Sequence, residues 1–279
     1  MSIDDISPLD AAALLKRHGL HARRALGQNF LQDPQALEKI LAAAEIQPGD
    51  TVLEIGPGLG SLTRYLAVFS EKVVAVELDE HLLPPLRAVI SPFRNVRLIH
   101  GDILKLSPKE LILAEEYVVV ANIPYYITSA VIRHLLENEP KPRRVVLTIQ
   151  KEVAQRICAS PGDMSLLALS VQVYGRPRIA AHIPAEAFFP APKVDSAVLV
   201  VDIYPAALIG EEILDTFFKL SKAGFSQKRK TLRNALASGL HISPAQAANL
   251  LARADIDPQR RAETLSIQEW ENLSMSYAT

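Results

Sequence analysis

The 279-residue chain contains a single cysteine, Cys158, and a single tryptophan. One cysteine cannot close an internal disulfide, so a reducing compartment is the simple expectation. Cys158 has no activating neighbours in sequence and reads as a small apolar residue. Without further cysteines no Cys/His zinc pattern can be written, and the seven histidines do not fall at metal spacings, so no metal is expected. No G-x-S-x-G elbow is present, which argues against a serine hydrolase. No uninterrupted apolar run is long enough to span a bilayer. Met1-Ser2-Ile3-Asp4-Asp5 is acidic and lacks an apolar signal core, so a soluble cytoplasmic protein without membrane partners is expected.

There is also no charge excess, the formal net charge being −1. Global charge therefore does not point to nucleic acid, but its distribution does. Basic residues crowd at Lys16, Arg17, Arg23 and Arg24, and again at Lys222, Lys228, Arg229, Lys230 and Arg233. Such patches can grip phosphates on a neutral protein. The second lies in Phe225–Asn234, which reads as amphipathic, with Leu232 and Leu236 facing a core and the cations facing RNA.

Half of the chain is apolar, enough for a large domain and a smaller one. Past a basic N-terminal arm (1–25), Asp33-Pro34 reads as a cap and first helical residue for a helix running to Ala44. Short β-branched runs then alternate with helical spacing: Thr51–Ile55, Lys72–Glu77, Val96–His100, Tyr117–Ala121 and Arg144–Gln150, followed by Ile179–Ile183 and Ser196–Tyr204. Several are apolar throughout, as buried parallel strands are. The expectation is an α/β fold, a mostly parallel seven-stranded sheet covered on both faces, over 26–205. Residues 206–279 read as helix, with starts at Ser243-Pro244 and Ser266-Ile267-Gln268-Glu269. Thr128 and Ser107 read as helix caps, and Pro84-Pro85 as forcing a short turn at 80–83 before a helix restarts.

Four chemically suggestive elements fall at successive strand ends. Glu54-Ile55-Gly56-Pro57-Gly58-Leu59-Gly60 joins the first strand to a helix. Gly56 and Gly58 would let backbone approach a ligand, and a helix start favours negative charge. A dinucleotide loop wants glycine at the sixth position, where Ser61 stands, so the spacing suits S-adenosylmethionine better. Glu77 ends the second strand and could accept ribose hydroxyls. Asp102, after the third, could accept from an adenine amine while Ile103 packs on the ring. Asn122-Ile123-Pro124-Tyr125 closes the fourth. There the Asn122 amide and a neighbouring carbonyl could accept both N–H groups of an adenine N6, Pro124 would hold the turn, and the Tyr125 ring could lie against the base. The proline-stiffened Phe188-Phe189-Pro190-Ala191-Pro192-Lys193 offers an exposed ring for stacking.

Together with Gly27-Gln28-Asn29-Phe30-Leu31, Val76-Glu77-Leu78-Asp79 and Gly101-Asp102-Ile103-Leu104, these motifs make the chain resemble the KsgA (RsmA) family of 16S ribosomal RNA adenine N6,N6-dimethyltransferases over nearly its whole length. The resemblance implies a Rossmann-like class I methyltransferase domain with a small helical domain that binds RNA. It implies S-adenosylmethionine contacts at Asn29, Leu31, Gly56, Glu77, Asp102 and Asn122, and target-adenine contacts at Asn122, Tyr125 and Phe188. Its implied substrate is two adjacent adenosines in the 3′-terminal hairpin loop of 16S rRNA within an assembling small subunit; a monomer is expected. Loss of activity in the family gives kasugamycin resistance. Three other readings compete: a resistance-type 23S rRNA adenine methylase, a non-catalytic RNA-binding assembly factor, and a nicotinamide dehydrogenase. The last lacks a plausible hydride-site His or Tyr–Lys pair.

Overall fold

A computed structural model of the chain describes residues 6–124 and 127–278. These residues form nine strands: β1 (Phe30–Leu31), β2 (Thr51–Ile55), β3 (Lys72–Glu77), β4 (Val96–His100), β5 (Tyr117–Asn122), β6 (Arg144–Gln150), β7 (Gly175–Ile183), β8 (Phe188–Phe189) and β9 (Ser196–Ile203). Seven of them form one sheet in the order β4-β3-β2-β5-β6-β9-β7. β4, β3, β2, β5 and β6 run parallel, and β9 lies antiparallel to β6. Val52, Leu53, Val73, Val74 and Val118–Ala121 are fully buried, which is what apolar parallel strands with both faces covered require. The chain leaves β2 for β3 and β4, then returns to β5 on the other side of β2. The carboxyl ends of β2 and β5 therefore flank a switch point, where such sheets bind ligands.

Local chemistry explains most helix starts. The Asp33 carboxylate accepts from Ala36 N at 3.0 Å and caps α2 (Pro34–Ala44). A 3-10 turn at Glu80–Leu82 precedes α4 (Leu83–Ile90), so Pro84-Pro85 sit in a first turn, where no intrahelical N–H bond is lost. Two expected caps are absent. Thr128 is the first residue of α6 (Thr128–Glu137) and its buried hydroxyl makes no hydrogen bond. Ser107 precedes only the one-turn α5 (Pro108–Leu111) and makes no capping bond. The arm also carries a helix that the sequence reading did not place. Asp10 caps α1 (Ala11–Arg17), whose Ala11 and Leu15 pack with Phe30, Leu59 and Leu82.

The chain divides into two compact units, Met1–Ala154 with Arg176–Ile203, and Gln155–Gly175 with Tyr204–Thr279. The second joins 155–175, including α8 (Leu166–Gln172), to the C-terminal helices, and no composition shift marks that first segment. Within it, α9 (Glu211–Phe225) packs on α10 (Leu232–Leu240) and α12 (Ile267–Ala278). Gly239 permits the first of these packings, since a Cβ there would lie 2.7 Å from Ala223 Cα. Trp270 is fully buried, its ring 5.8 Å from that of Phe225. Ser243 and Gln246 cap α11 (Pro244–Arg253) reciprocally, at the helix start read at Ser243-Pro244. The basic run 225–234 is not one helix. α9 stops at Phe225, a turn carries the cations, and α10 begins at Leu232. Leu232 and Leu236 do face the core.

Candidate active site at the strand ends

Gly56, Gly58 and Gly60 follow β2 with φ of 69°, 59° and 86°, a region L side chains adopt only with strain. Space is also short. A Cβ on Gly58 would lie 3.0 Å from the Phe30 ring, and one on Gly60 2.9 Å from Leu86. The turn is held by Gly56 N donating to Val76 O (2.9 Å) and by Gly58 N donating to Glu77 Oε2 (3.0 Å), and it leads into α3 (Ser61–Phe69). The other oxygen of Glu77, Oε1, accepts from Asp79 N at 2.8 Å. Burial raises the Glu77 carboxyl above its ordinary range, although these backbone donors ease its ionisation.

One cavity of about 290 Å³ runs along this edge. Asn29, Leu31, Gly56, Gly58, Glu77, Asp102, Ile103, Asn122 and Phe188 all line it, so residues read from six separate stretches meet at one place. Asn122 is the last residue of β5, and its Nδ2 donates to the Asn29 carbonyl at 3.1 Å. A carbonyl can face only the NH₂ end of an amide, so this bond directs Oδ1 of Asn122 elsewhere, and none of the described residues donates to it. Asp102 also caps the short turn Ile103–Lys105 through Leu104 N (3.1 Å). Phe188 is the packed member of the Phe188-Phe189 pair, not an exposed ring. It is 4% exposed, belongs to the core beside Leu31, and reaches the cavity because β8 pairs antiparallel with β1. Tyr125 lies outside the described residues. Among those described, no cluster of His, Cys, Asp or Glu is placed to hold a metal, and no helix is long and apolar enough to cross a membrane.

Comparison with known proteins adds a decisive observation. Residues 19–279 match the family described as ribosomal RNA adenine dimethylase. The chain belongs to the ribosomal RNA adenine dimethylase family. A ribosomal RNA small subunit methyltransferase A from Dehalococcoides mccartyi is 50% identical over 270 residues, covering 96% of this chain and 92% of that protein. One of the same name from Alkaliphilus metalliredigens is 40% identical, covering 98% of each. A solved dimethyladenosine transferase from Plasmodium falciparum superimposes with a TM-score of 0.76 at 26% identity, over 89% of this chain and 97% of that one. The 23S rRNA methyltransferase ErmE does so at 0.70 and 27% identity, over 90% and 100%. This dimethylase-family chain is therefore a methyltransferase on a Rossmann-like sheet, and its family implies use of S-adenosylmethionine.

Two polar groups in the dimethylase cavity carry no assigned contact in the sequence reading. Glu54 is 1% exposed and its Oε2 makes no hydrogen bond, and the buried Ser61 hydroxyl likewise has no partner. The signal for Glu54 was available: it is the one charged residue in Thr51–Ile55, a strand otherwise fit for burial on both faces. Burial pushes its carboxyl up to about 8, Thr63 partly offsetting the rise and the nearby Glu77 adding to it. Between the ordinary value of 4.5 and about 8, the folded chain holds a proton that the unfolded chain has released. Stability therefore falls as pH rises through that window. Glu54→Gln has no such proton to lose. Without cofactor it should melt above the parent at pH 8, with a gap that closes toward about pH 5. A melting difference independent of pH would contradict this assignment.

Proposed function

We propose that the enzyme transfers methyl groups from S-adenosylmethionine to the N6 atoms of two adjacent adenosines in the 3′-terminal hairpin of small-subunit 16S rRNA during subunit assembly. The observation that carries this reading is the Asn122 amide, fixed at one end by Asn29 O and engaged by none of the described residues at the other, in the same cavity as the glycine turn.

The residues fit the cofactor. Glu77 keeps an acceptor lone pair on each oxygen beyond those used by Gly58 N and Asp79 N, as a ribose diol requires. Asp102 and Ile103 offer a carboxylate and an apolar surface for adenine. Glu54 Oε2 and Ser61 Oγ are buried polar atoms without a protein partner, which suits a polar methionine tail at the turn. S-adenosylmethionine, when bound, supplies an already activated methyl group. The protein's task lies with the nucleophile, whose lone pair is delocalised into the purine. Acceptance of both N6 protons by Asn122 Oδ1 and a carbonyl of Ile123 or Pro124 favours a pyramidal nitrogen and aims that pair. Phe188 and Tyr125 hold the ring plane. Orientation and preorganised dipoles then supply most of the acceleration. The methylated nitrogen is acidic and releases its proton to water.

Tritiated-methyl transfer to small subunits from a strain lacking the modification, followed by nucleoside analysis, tests the reading. N6,N6-dimethyladenosine in 16S rRNA is expected; label confined to 23S rRNA would favour the large-subunit alternative, and no transfer at all a non-catalytic factor.

RNA contact falls to the cationic turn. Lys222, Lys228, Arg229 and Lys230 are exposed, Arg233 half-buried, and no ion pair engages any of the five among the described residues. Arg24 is exposed as well, whereas Arg23 is engaged by Asp79. Replacing Lys228, Arg229 and Lys230 with alanine should weaken RNA binding with cofactor affinity unchanged. It should also lower the slope of log affinity against log salt by roughly 0.7–0.9 for each phosphate the turn no longer neutralises. Filter binding across a salt series reads both, and an unchanged slope would remove this turn from the interface.

A further inference from the structure

Asp79 is a carboxylate only 4% exposed, two residues beyond Glu77, and it gathers donors from two directions. From its own loop, His81 N donates to Oδ1 at 3.1 Å and His81 Nδ1 lies at the same distance. From the stretch ahead of β1, Arg23 Nη1 reaches Oδ1 at 3.1 Å and Gln28 Nε2 donates to Oδ2 at 2.7 Å. Gln28 can do so in one orientation only, because its Oε1 accepts from Arg23 N at 2.8 Å. The stretch is also folded on itself, with Gly27 at φ 62° and Asn29 Nδ2 donating to Gly27 O (3.1 Å). Its Asn29 carbonyl is the group that orients Asn122. Burial alone would hinder ionisation of Asp79, but Gln28, His81 and Arg23 outweigh it and hold the carboxyl below its ordinary range.

We propose that Asp79 is a positioning residue: it ties residues 23–28 to the end of β3, keeps Asn29 O in place, and through it sets the aim of the Asn122 amide. A single group thereby links the two ends of the site. The Asp79 N–H holds the Glu77 carboxylate, and the Asp79 carboxylate holds the arm against which Asn122 is oriented. The part concerning Asn122 rests on the transfer reaction proposed above; the tie itself does not.

The test exploits the polarity of the Gln28 contact. Asp79→Asn is isosteric, yet with Oδ1 kept toward Arg23 and His81 its NH₂ would face the Gln28 NH₂. Gln28→Glu in that background restores an acceptor opposite the donor at unchanged net charge, and its second oxygen still serves Arg23 N. Full-length parent, D79N and D79N/Q28E would be compared in three measurements: amide hydrogen exchange at 24–31 without cofactor, S-adenosylmethionine affinity by calorimetry, and kcat with small subunits. For D79N, exchange at 24–31 should rise, with β2 and β5 unchanged, and kcat should drop roughly ten- to a hundredfold, the scale of one broken charged hydrogen bond. In the double variant both should return to within about threefold of the parent. Parent-like exchange and kcat in D79N would overturn the proposal. So would a double variant that melts like the parent yet regains neither, since the Gln28 contact would then not be what Asp79 contributes. If the parent itself transfers no methyl group, the transfer reading fails while the exchange data still decide the tie.

Discussion

Asn122→Ala should reduce kcat by about 10²–10³-fold, the usual cost of removing one preorganised dipole from a reacting centre, while S-adenosylmethionine affinity stays within a few-fold. The separation follows from the geometry. Asn122 spends its NH₂ on Asn29 O, which leaves Oδ1 for the substrate amine in the proposed reaction, whereas the turn glycines, Glu77 and Asp102 face the cavity independently of it. Removing the amide deletes the acceptor that distinguishes a planar N6 from a pyramidal one, and it also frees the Asn29 carbonyl. Asn122→Asp separates these effects. A carboxylate still accepts from N6 but cannot donate to Asn29 O, and two oxygens would face each other across the former hydrogen bond. Aspartate should therefore fall nearly as far as alanine. Single-turnover transfer with saturating cofactor reads the chemical step. Transfer in Asn122→Ala equal to that of the parent would remove Asn122 from the mechanism.

Much of the sheet was legible because burial on both faces leaves a plain mark. Thr51–Ile55, Lys72–Glu77, Val96–His100 and Arg144–Gln150 match their sequence limits to the residue. Each is a short β-branched run closed by turn or capping chemistry. β7 starts at Gly175, four residues ahead of the Ile179 that the sequence pattern suggests, because Arg176-Pro177-Arg178 looks unlike a strand. β7 is the last strand of the sheet, and an edge strand tolerates proline, since one side of it has no partner to receive an N–H. The β1–β8 ribbon left no signal at all. Two residues carry no period, and the pairing joins segments more than 150 positions apart in sequence.

The site divides the same way. Glycines, Glu77, Asp102 and Asn122 were readable because the fold puts strand ends on one line, so motif order along the chain becomes position along an edge. What could not be read were the hydrogen bonds that orient them. Asn122 meets Asn29 across 93 positions, and Asp79 meets Gln28 across 51. Phe188 lies at the cavity for a reason the loop's composition does not give. A proline-flanked Phe pair suggested an exposed stacking ring, but the ring that lines the cavity is the buried one, held there by a ribbon the sequence does not announce.

Glu77→Ala is expected to weaken S-adenosylmethionine binding by about 1.5–3 kcal/mol, the scale of a hydrogen bond to a charged group, with kcat at saturating cofactor little changed. Two contributions enter this figure. One is the ribose contact. The other is structural, because Gly58 N and Asp79 N both lose their acceptor and the turn loosens. A cofactor analogue lacking one ribose hydroxyl distinguishes them. The parent should bind it more weakly than S-adenosylmethionine, whereas Glu77→Ala should bind the two almost equally, since the group that recognised the hydroxyl is gone. A purely structural Glu77 would leave the parent's discrimination intact in the variant. Glu77→Gln should fall between, because its amide keeps one acceptor but turns an NH₂ toward a backbone N–H. Calorimetry giving the same affinity for parent and Glu77→Ala would exclude this carboxylate as the ribose acceptor, and with it the alignment of the cofactor along the strand ends.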